Sequence, residues 1–268
     1  MYILGINTYH GDASACIFKN GELIAAIEEE RIVRIKHWAG FPCKAVKFCL
    51  EEAGINITQV DHITIARDPS ANVLKKAVHV LKNLTSIDAV RDRLLNKKKI
   101  SNIIKDFSSC FNIEENDITA EIHNFEHHRS HMASAFFASP FKESAVLSID
   151  AFGDFTSTML GKGAGNKINV MSQVNFPHSV GAFYTAFTQY LGFNCFGDEY
   201  KLMGLSPYGT PAMLKQVRDV VIFKNNGLFE LNLDYFTHHA KGVKTKIMSE
   251  SDPTPSRIFS DLMIDKFG

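Results

Sequence analysis

The sequence predicts a mixed α/β fold, and two observations carry that prediction. The chain opens on a short apolar strand, a loop and a tight hairpin. A strand–helix–strand order runs through residues 118–160. The composition, 45% hydrophobic and 22% charged over 268 residues, is that of an ordinary globular protein, long for one compact domain and comfortable for two small ones. Lys plus Arg equals Asp plus Glu at 29 each, and this zero balance argues against a nucleic-acid footprint over the whole surface. No apolar run approaches the ~18 residues of a membrane helix. Met1-Tyr2-Ile3-Leu4-Gly5-Ile6 lacks the basic start of a signal peptide. The five cysteines (Cys16, Cys43, Cys49, Cys110 and Cys195) form no Cys-x-x-Cys pair, so they read as reduced thiols of a cytoplasmic protein.

The elements follow in order. Tyr2–Asn7 and Ala13–Lys19 read as strands. Asn20-Gly21 is a strong hairpin signal, and Glu22–Glu29 returns as a third strand. An N-terminal strand, loop and hairpin of this kind open the actin–hexokinase-like (ribonuclease H-like) class of α/β folds, with a mixed sheet inside and helices outside. Arg31–Trp38 reads as a basic loop. Pro42 suits the first turn of a helix to about Ala53, with Gly54 as its stop. Asp61–Arg67 is a strand. Residues 72–107 have helical periodicity, and Lys97-Lys98-Lys99 within them reads as a solvated helix end, with phosphate binding as the other reading. Ile118–His123 is a strand and Glu126–Ala138 a helix. Ser144–Asp150 is an apolar strand ending in an acid. Thr156–Lys162 and Lys167–Asn175 are further strands, and Ser179–Leu191 is an amphipathic helix closed by Gly192. Pro211–Val220 is a short helix, and 221–224 with 228–233 a hairpin. Ser256–Phe267 reads as a helix in mid-pattern. Its apolar face at Ile258, Leu262 and Phe267 is expected to lie open, as if the fold continued into a second lobe.

Chemistry concentrates between residues 123 and 131, where four of the eleven histidines fall. His127 and His131 are spaced i, i+4 on the predicted helix and project from one face. Two imidazoles one turn apart suit a divalent transition metal, given an acidic third ligand. Asp150, at the end of the next strand, is the candidate. His128 is a candidate for substrate contact, and His123 is a further donor from the strand end. A surface pair or a buried hydrogen-bonded pair is the alternative reading of His127 and His131.

His127-His128-Arg129-Ser130-His131-Met132-Ala133-Ser134-Ala135-Phe136, with Ser139-Pro140-Phe141 and Leu147-Ser148-Ile149-Asp150, resembles the O-carbamoyltransferases of nodulation-factor and antibiotic biosynthesis. Gly5-Ile6-Asn7 with His10-x-Asp12-Ala13-Ser14-Ala15, the run Glu29-Glu30-Arg31-x-x-Arg34-x-Lys36-His37, and Glu199-x-Lys201-x-Met203-Gly204-Leu205-Ser206-Pro207-Tyr208-Gly209 agree as well. The resemblance spans the chain, and the family's members are about twice as long. It implies that carbamoyl-adenylate, made from carbamoyl phosphate and ATP in a further domain, gives its carbamoyl group to an acceptor hydroxyl. It implies His127, His131 and Asp150 as ligands of a divalent metal, with iron(II) favoured. It implies His10, Lys36 and His128 as catalytic residues, and Asp12, Arg31, Arg34, Asp154 and Lys201 as nucleotide contacts. Ser206, Asp154 and Met132 depart from the family's usual residues without touching a ligand position.

On this reading residues 1–268 are the N-terminal part of the metalloprotein domain, with the fourth metal ligand, the remainder of the second lobe and the adenylate-forming domain in a C-terminal half supplied in cis or in trans. No complete activity is then expected from these residues alone. Nucleic acid and membrane are not expected partners. The alternatives are threonylcarbamoyl transfer to tRNA adenosine by a related metalloprotein, a sugar or acetate kinase of the same fold class, and an inactive fragment. The His pair is not a requirement of such kinases. The long Glu199–Gly209 match and the neutral charge count against the tRNA reading.

Overall fold

A computed structural model describes residues 1–83, 102–243, 245–248 and 251–268. In chain order the elements are β1 (Tyr2–Asn7), β2 (Ser14–Lys19), β3 (Glu22–Glu28), α1 (Glu29–Val33), α2 (Cys43–Ala53), β4 (His62–Ile65), α3 (Val73–Asn83), α4 (Ile103–Phe111) and β5 (Glu121–Asn124). Then follow α5 (His127–Phe137), β6 (Glu143–Gly153), β7 (Thr156–Ala164), β8 (Lys167–Asn175), α6 (Val180–Tyr190), α7 (Glu199–Leu205) and α8 (Leu214–Arg218). The chain closes with β9 (Val221–Phe223), β10 (Phe229–Leu231), α9 (His238–Lys241), β11 (Thr245–Met248), β12 (Ser251–Pro255) and α10 (Asp261–Phe267). The predicted Lys97-Lys98-Lys99 helix end lies outside the described residues. Among the described residues, no helix is long and apolar enough to cross a membrane.

The chain divides into two compact units. The first comprises Met1–Ser70 and the described part of Ile87–His127. Its sheet has the order β3-β2-β1-β4-β5, with the first three strands antiparallel and β4 and β5 parallel to β1. This is the mixed sheet the sequence predicts. Asn20 and Gly21 turn the hairpin with φ of 52° and 89°, the positive pair that makes Asn-Gly favourable there. Alternation sends Leu4, Ile6, Ala15, Ile17, Ile63 and Ile65 into a core shared with Ala45, Val46, Cys49 and Leu50 of α2 and with Ile103 and Phe107 of α4. Gly54 ends α2 at φ 66°, as predicted.

Three expectations are corrected in this unit. The basic segment is not all loop, because its start forms the short helix α1. The reason lies in Glu29, which is buried and accepts hydrogen bonds from the backbone N–H groups of Lys44 (3.2 Å) and Ala45 (2.6 Å). Pro42 has no side chain to cap α2, so a carboxylate from another element takes that task. Second, Cys43 and Cys110 are not free thiols. They form a disulfide between α2 and α4, with Cα atoms 5.8 Å apart, while Cys16, Cys49 and Cys195 are free. A sequence separation of 67 residues gives no spacing signal for that pairing. Third, the predicted strand Ile118–His123 starts later, at Glu121, after a single 3-10 turn over Glu115–Asp117.

The second unit comprises the described part of Ala71–Ser86 together with His128–Gly268. Its central sheet is antiparallel, in the order β6-β7-β8. Along β6, Val146 and Ser148 are buried while Leu147 and Ile149 are exposed, so Val146, Ser148 and Asp150 share one face. That face receives α5 through Met132 and Phe136, packed with Val146 and Met159. Gly161 and Gly163 make the seat. A Cβ at Gly161 would lie 2.6 Å from the Met132 side chain, and one at Gly163 2.7 Å from the Phe136 ring. Ser179 caps α6 by accepting from Ala182 N–H at 3.0 Å, and its hydroxyl donates to the Asp150 carbonyl at 3.0 Å.

The C-terminal expectation is also corrected. Residues 256–260 are not helical, and α10 begins only at Asp261. Ile258 is buried with Ala182, Ala186, Leu231, Phe236 and Met263, and Phe267 packs against that cluster. Leu262 alone of the three named residues stays exposed. An extended stretch at Phe259 bridges Phe236, and the Ile258 N–H donates to Gln189 Oε1 at 3.0 Å, which outweighs the helical periodicity.

Candidate functional site

The helix α5 and the strand β6 carry the centre of the site. His127 and His131 lie one turn apart on α5, and Asp150 projects from the face of β6 that α5 covers. The donor atoms of these three side chains all lie within 4.8 Å of one another. His131 Nε2 is 3.6 Å from Asp150 Oδ2. The other oxygen, Oδ1, accepts the Ala151 N–H at 2.6 Å, which orients the carboxylate. Gly181 permits this strand end to be approached, because a Cβ there would meet the Asp150–Ala151 backbone at 2.6–2.7 Å. Two imidazoles and one carboxylate form a donor set suited to a divalent transition metal.

His128 lies elsewhere. It is fully buried, with Nε2 3.0 Å from the Thr156 carbonyl and Nδ1 2.8 Å from Ser148 Oγ. A carbonyl only accepts, so Nε2 carries the proton and Nδ1 accepts from the Ser148 hydroxyl. The ring thus ties α5 to both β6 and β7, a place in the core and not at a substrate surface. His123 does not join His127 and His131 either. It faces His62 and Glu121 on the β4–β5 pair.

The N-terminal loop and the segment after α1 come together. Ala13 N–H donates to the Trp38 carbonyl at 2.9 Å, and Asp12 Oδ1 lies 2.8 Å from His37 Nδ1. The His37 N–H donates to Glu30 Oε2 at 2.8 Å, so Asp12, Glu30 and His37 make one polar cluster. Tyr9, Asp12, Arg34 and His37 all have φ between 53° and 64°, an uncommon conformation for side-chain-bearing residues. His10 stands beside them, its ring edge-on to His127 at 5.9 Å between centroids. Its Nδ1–H donates to the Gly11 carbonyl at 3.1 Å, which leaves the Nε2 lone pair available. Burial, then the neighbouring His127 and Arg67, push its pKa down to about 4, so the ring is neutral at physiological pH.

The remaining candidates are placed as follows. Arg31 is mostly exposed and pairs with Glu28 at 3.1 Å and Glu30 at 3.6 Å. Arg34 ends α1, its N–H on the Glu30 carbonyl at 2.9 Å, and Lys36 is exposed two residues on. Asp154 and Phe155 form the two-residue β6–β7 turn with φ of 47° and 80°, and the Asp154 carbonyl accepts from Asn72 Nδ2 at 3.0 Å. Lys201 lies in α7 and pairs with Asp198 at 2.6 Å; that contact raises its pKa. Glu29, Glu30 and His62 carry no site role in the sequence pattern, and Glu29-Glu30 stands there only as the start of the family-like run before the basic segment.

Residues 2–251 match the family model described as carbamoyltransferase N-terminus. The protein sll1178 of Synechocystis is 38% identical over 247 residues, covering 88% of this chain and 40% of that protein. Nodulation protein NolNO of Sinorhizobium fredii is 34% identical over 233 residues, covering 85% of this chain and 32% of that protein. The chain thus spans well under half the length of either relative. Among solved structures, YeaZ from Pseudomonas aeruginosa aligns with a TM-score of 0.35 at 14% identity, covering 66% of this chain and 68% of that one.

Proposed function

Since the chain belongs to the carbamoyltransferase family through its N-terminal domain, we propose that it transfers a carbamoyl group from carbamoyl-adenylate to a hydroxyl of a small-molecule or sugar acceptor. The donor is made from carbamoyl phosphate and ATP by an adenylate-forming domain supplied in cis or in trans. The observation that carries this reading is the convergence of the donor atoms of His127, His131 and Asp150.

In the proposed reaction the acceptor oxygen attacks the carbamoyl carbon, the bond from that carbon to the phosphate oxygen breaks, and AMP leaves with the negative charge. The acceptor proton goes to Nε2 of His10. A pKa of about 4 makes His10 a weak base, which suffices because a mixed anhydride is strongly activated and its leaving group is stable. Arg34 and Lys36 hold the anionic nucleotide by charge-assisted hydrogen bonds, while Asp12 orients His37 in the same loop pair. His127, His131 and Asp150 fit a divalent ion, iron(II) by family resemblance. When bound, such an ion supplies positive charge against the nucleotide phosphate. His128 acts as a positioning residue that fixes α5 on the sheet.

The test combines metal analysis with donor binding on the purified chain. Wild type is expected to hold iron(II) and to bind synthetic carbamoyl-adenylate. Asp150→Ala is expected to lose one equivalent of metal and at least tenfold in donor affinity while keeping its circular dichroism. Unchanged metal content and donor affinity in both Asp150→Ala and His131→Ala would refute the assignment.

A further inference from the structure

We propose that His62, Glu121 and His123 form a second divalent-metal site, of the zinc-binding type, on the β4–β5 strand pair. Strand register creates it. β4 and β5 are parallel, with His62 opposite Glu121 and Thr64 opposite His123. Period-two alternation therefore puts His62, Glu121 and His123 on one face, while Ile63 and Ile65 fill the core on the other.

The donor geometry fits the ion. His62 Nδ1 is 3.0 Å from His123 Nε2, and Glu121 Oε2 is 3.7 Å from each of these nitrogens. Three ligands of a tetrahedral zinc ion, with bonds of ~2.0–2.1 Å, lie ~3.3 Å from one another. The three observed separations bracket that value, and two imidazoles with one carboxylate are a recurrent zinc donor set. Two imidazole lone pairs this close repel unless a positive centre lies between them. A shared ring proton meets that need for the nitrogens alone. A metal ion meets it and also engages the carboxylate equidistant from both. The side chains of both histidines are about one-third exposed and that of Glu121 is 70% exposed, so the ion and a water as fourth ligand reach the site from solvent.

The consequence is structural. β5 is the edge strand of its sheet, and its pairing with β4 is only four residues long. An ion held from both strands clips that edge across a chain separation of 61 residues, the His62–His123 distance in sequence. Because the donors are assembled only in the folded chain, binding raises stability in proportion to free metal.

The probe is Zn²⁺ added to the metal-free full chain, with Co²⁺ as a spectroscopic substitute. His62→Ala and His123→Ala are each expected to lose one equivalent of Zn²⁺, together with the visible absorption of four-coordinate Co²⁺ at this site. The Zn²⁺-dependent rise in Tm is expected to shrink with it. Asp150→Ala is expected to leave this equivalent in place, so the outcome is separable from that at the His127–His131–Asp150 cluster. His62→Gln keeps a polar side chain of similar reach and serves if alanine disturbs the strand. The proposal is overturned if His62→Ala or His62→Gln binds as much Zn²⁺ as wild type, with Kd within about twofold.

Discussion

Replacing His128 by alanine is expected to destabilise the protein by about 3.5–5.5 kcal/mol, among the larger effects of a single substitution. The ring is fully buried and bonds Ser148 Oγ at 2.8 Å and the Thr156 carbonyl at 3.0 Å. Its removal strands a hydroxyl and a carbonyl away from water, each costing about 1–2 kcal/mol. The vacated ring volume adds roughly 1.5 kcal/mol, since α5 is already seated on Gly161 and Gly163 and cannot settle further without a clash. The assay is urea unfolding followed by circular dichroism, with ΔΔG taken from the shift in midpoint at constant m. Ser148→Ala in the same chain provides the internal check. With the hydroxyl gone, the double variant is expected to be about 1–2 kcal/mol less destabilised than the two single losses added together. A loss under about 1 kcal/mol in His128→Ala, accompanied by loss of donor binding, would refute the positioning role and return His128 to the substrate.

Stability is also expected to depend on pH. Burial holds His178 and His238 below the ordinary imidazole range, and His178 Nδ1 accepts the Leu231 N–H at 3.1 Å, a bond that protonation removes. The unfolded chain then takes up protons first as pH falls below about 6.5, so unfolding free energy declines from there downward. Urea midpoints between pH 7.5 and 5 check this, and His238→Phe is expected to flatten the slope. Cys43→Ser is expected to cost about 4 kcal/mol by releasing a loop spanning 67 residues, and a peptide map without reductant is expected to show the Cys43–Cys110 link. Gly163→Ala is expected to cost about 1–3 kcal/mol, because the new Cβ would lie 2.7 Å from the Phe136 ring; Phe136→Leu is expected to restore part of it, as read by Tm.

The features legible in the sequence are local in origin. Asn20-Gly21 specified its hairpin, Gly54 its helix end, and the i, i+4 spacing of His127 and His131 their shared helix face, because each follows from contacts within a few residues. The acid at the end of β6 was legible for the same reason, since alternation along one strand decides which way Asp150 points. Tertiary structure decided what depends on distant pairing. Histidines 123, 127, 128 and 131 form one cluster in the sequence but separate in the fold. His123 joins His62 through strand register, and His128 enters the core through Ser148 and Thr156. Cys43 found Cys110 only because α2 and α4 share a core. Glu29 caps a helix that starts fourteen residues later in the chain, at Cys43. Ile258 lies in an extended stretch despite its helical period, because burial beside α6 and a bond to Gln189 outweigh local propensity. Pairings of this kind are set by register and packing between elements far apart in the chain, and no window of neighbouring residues contains them.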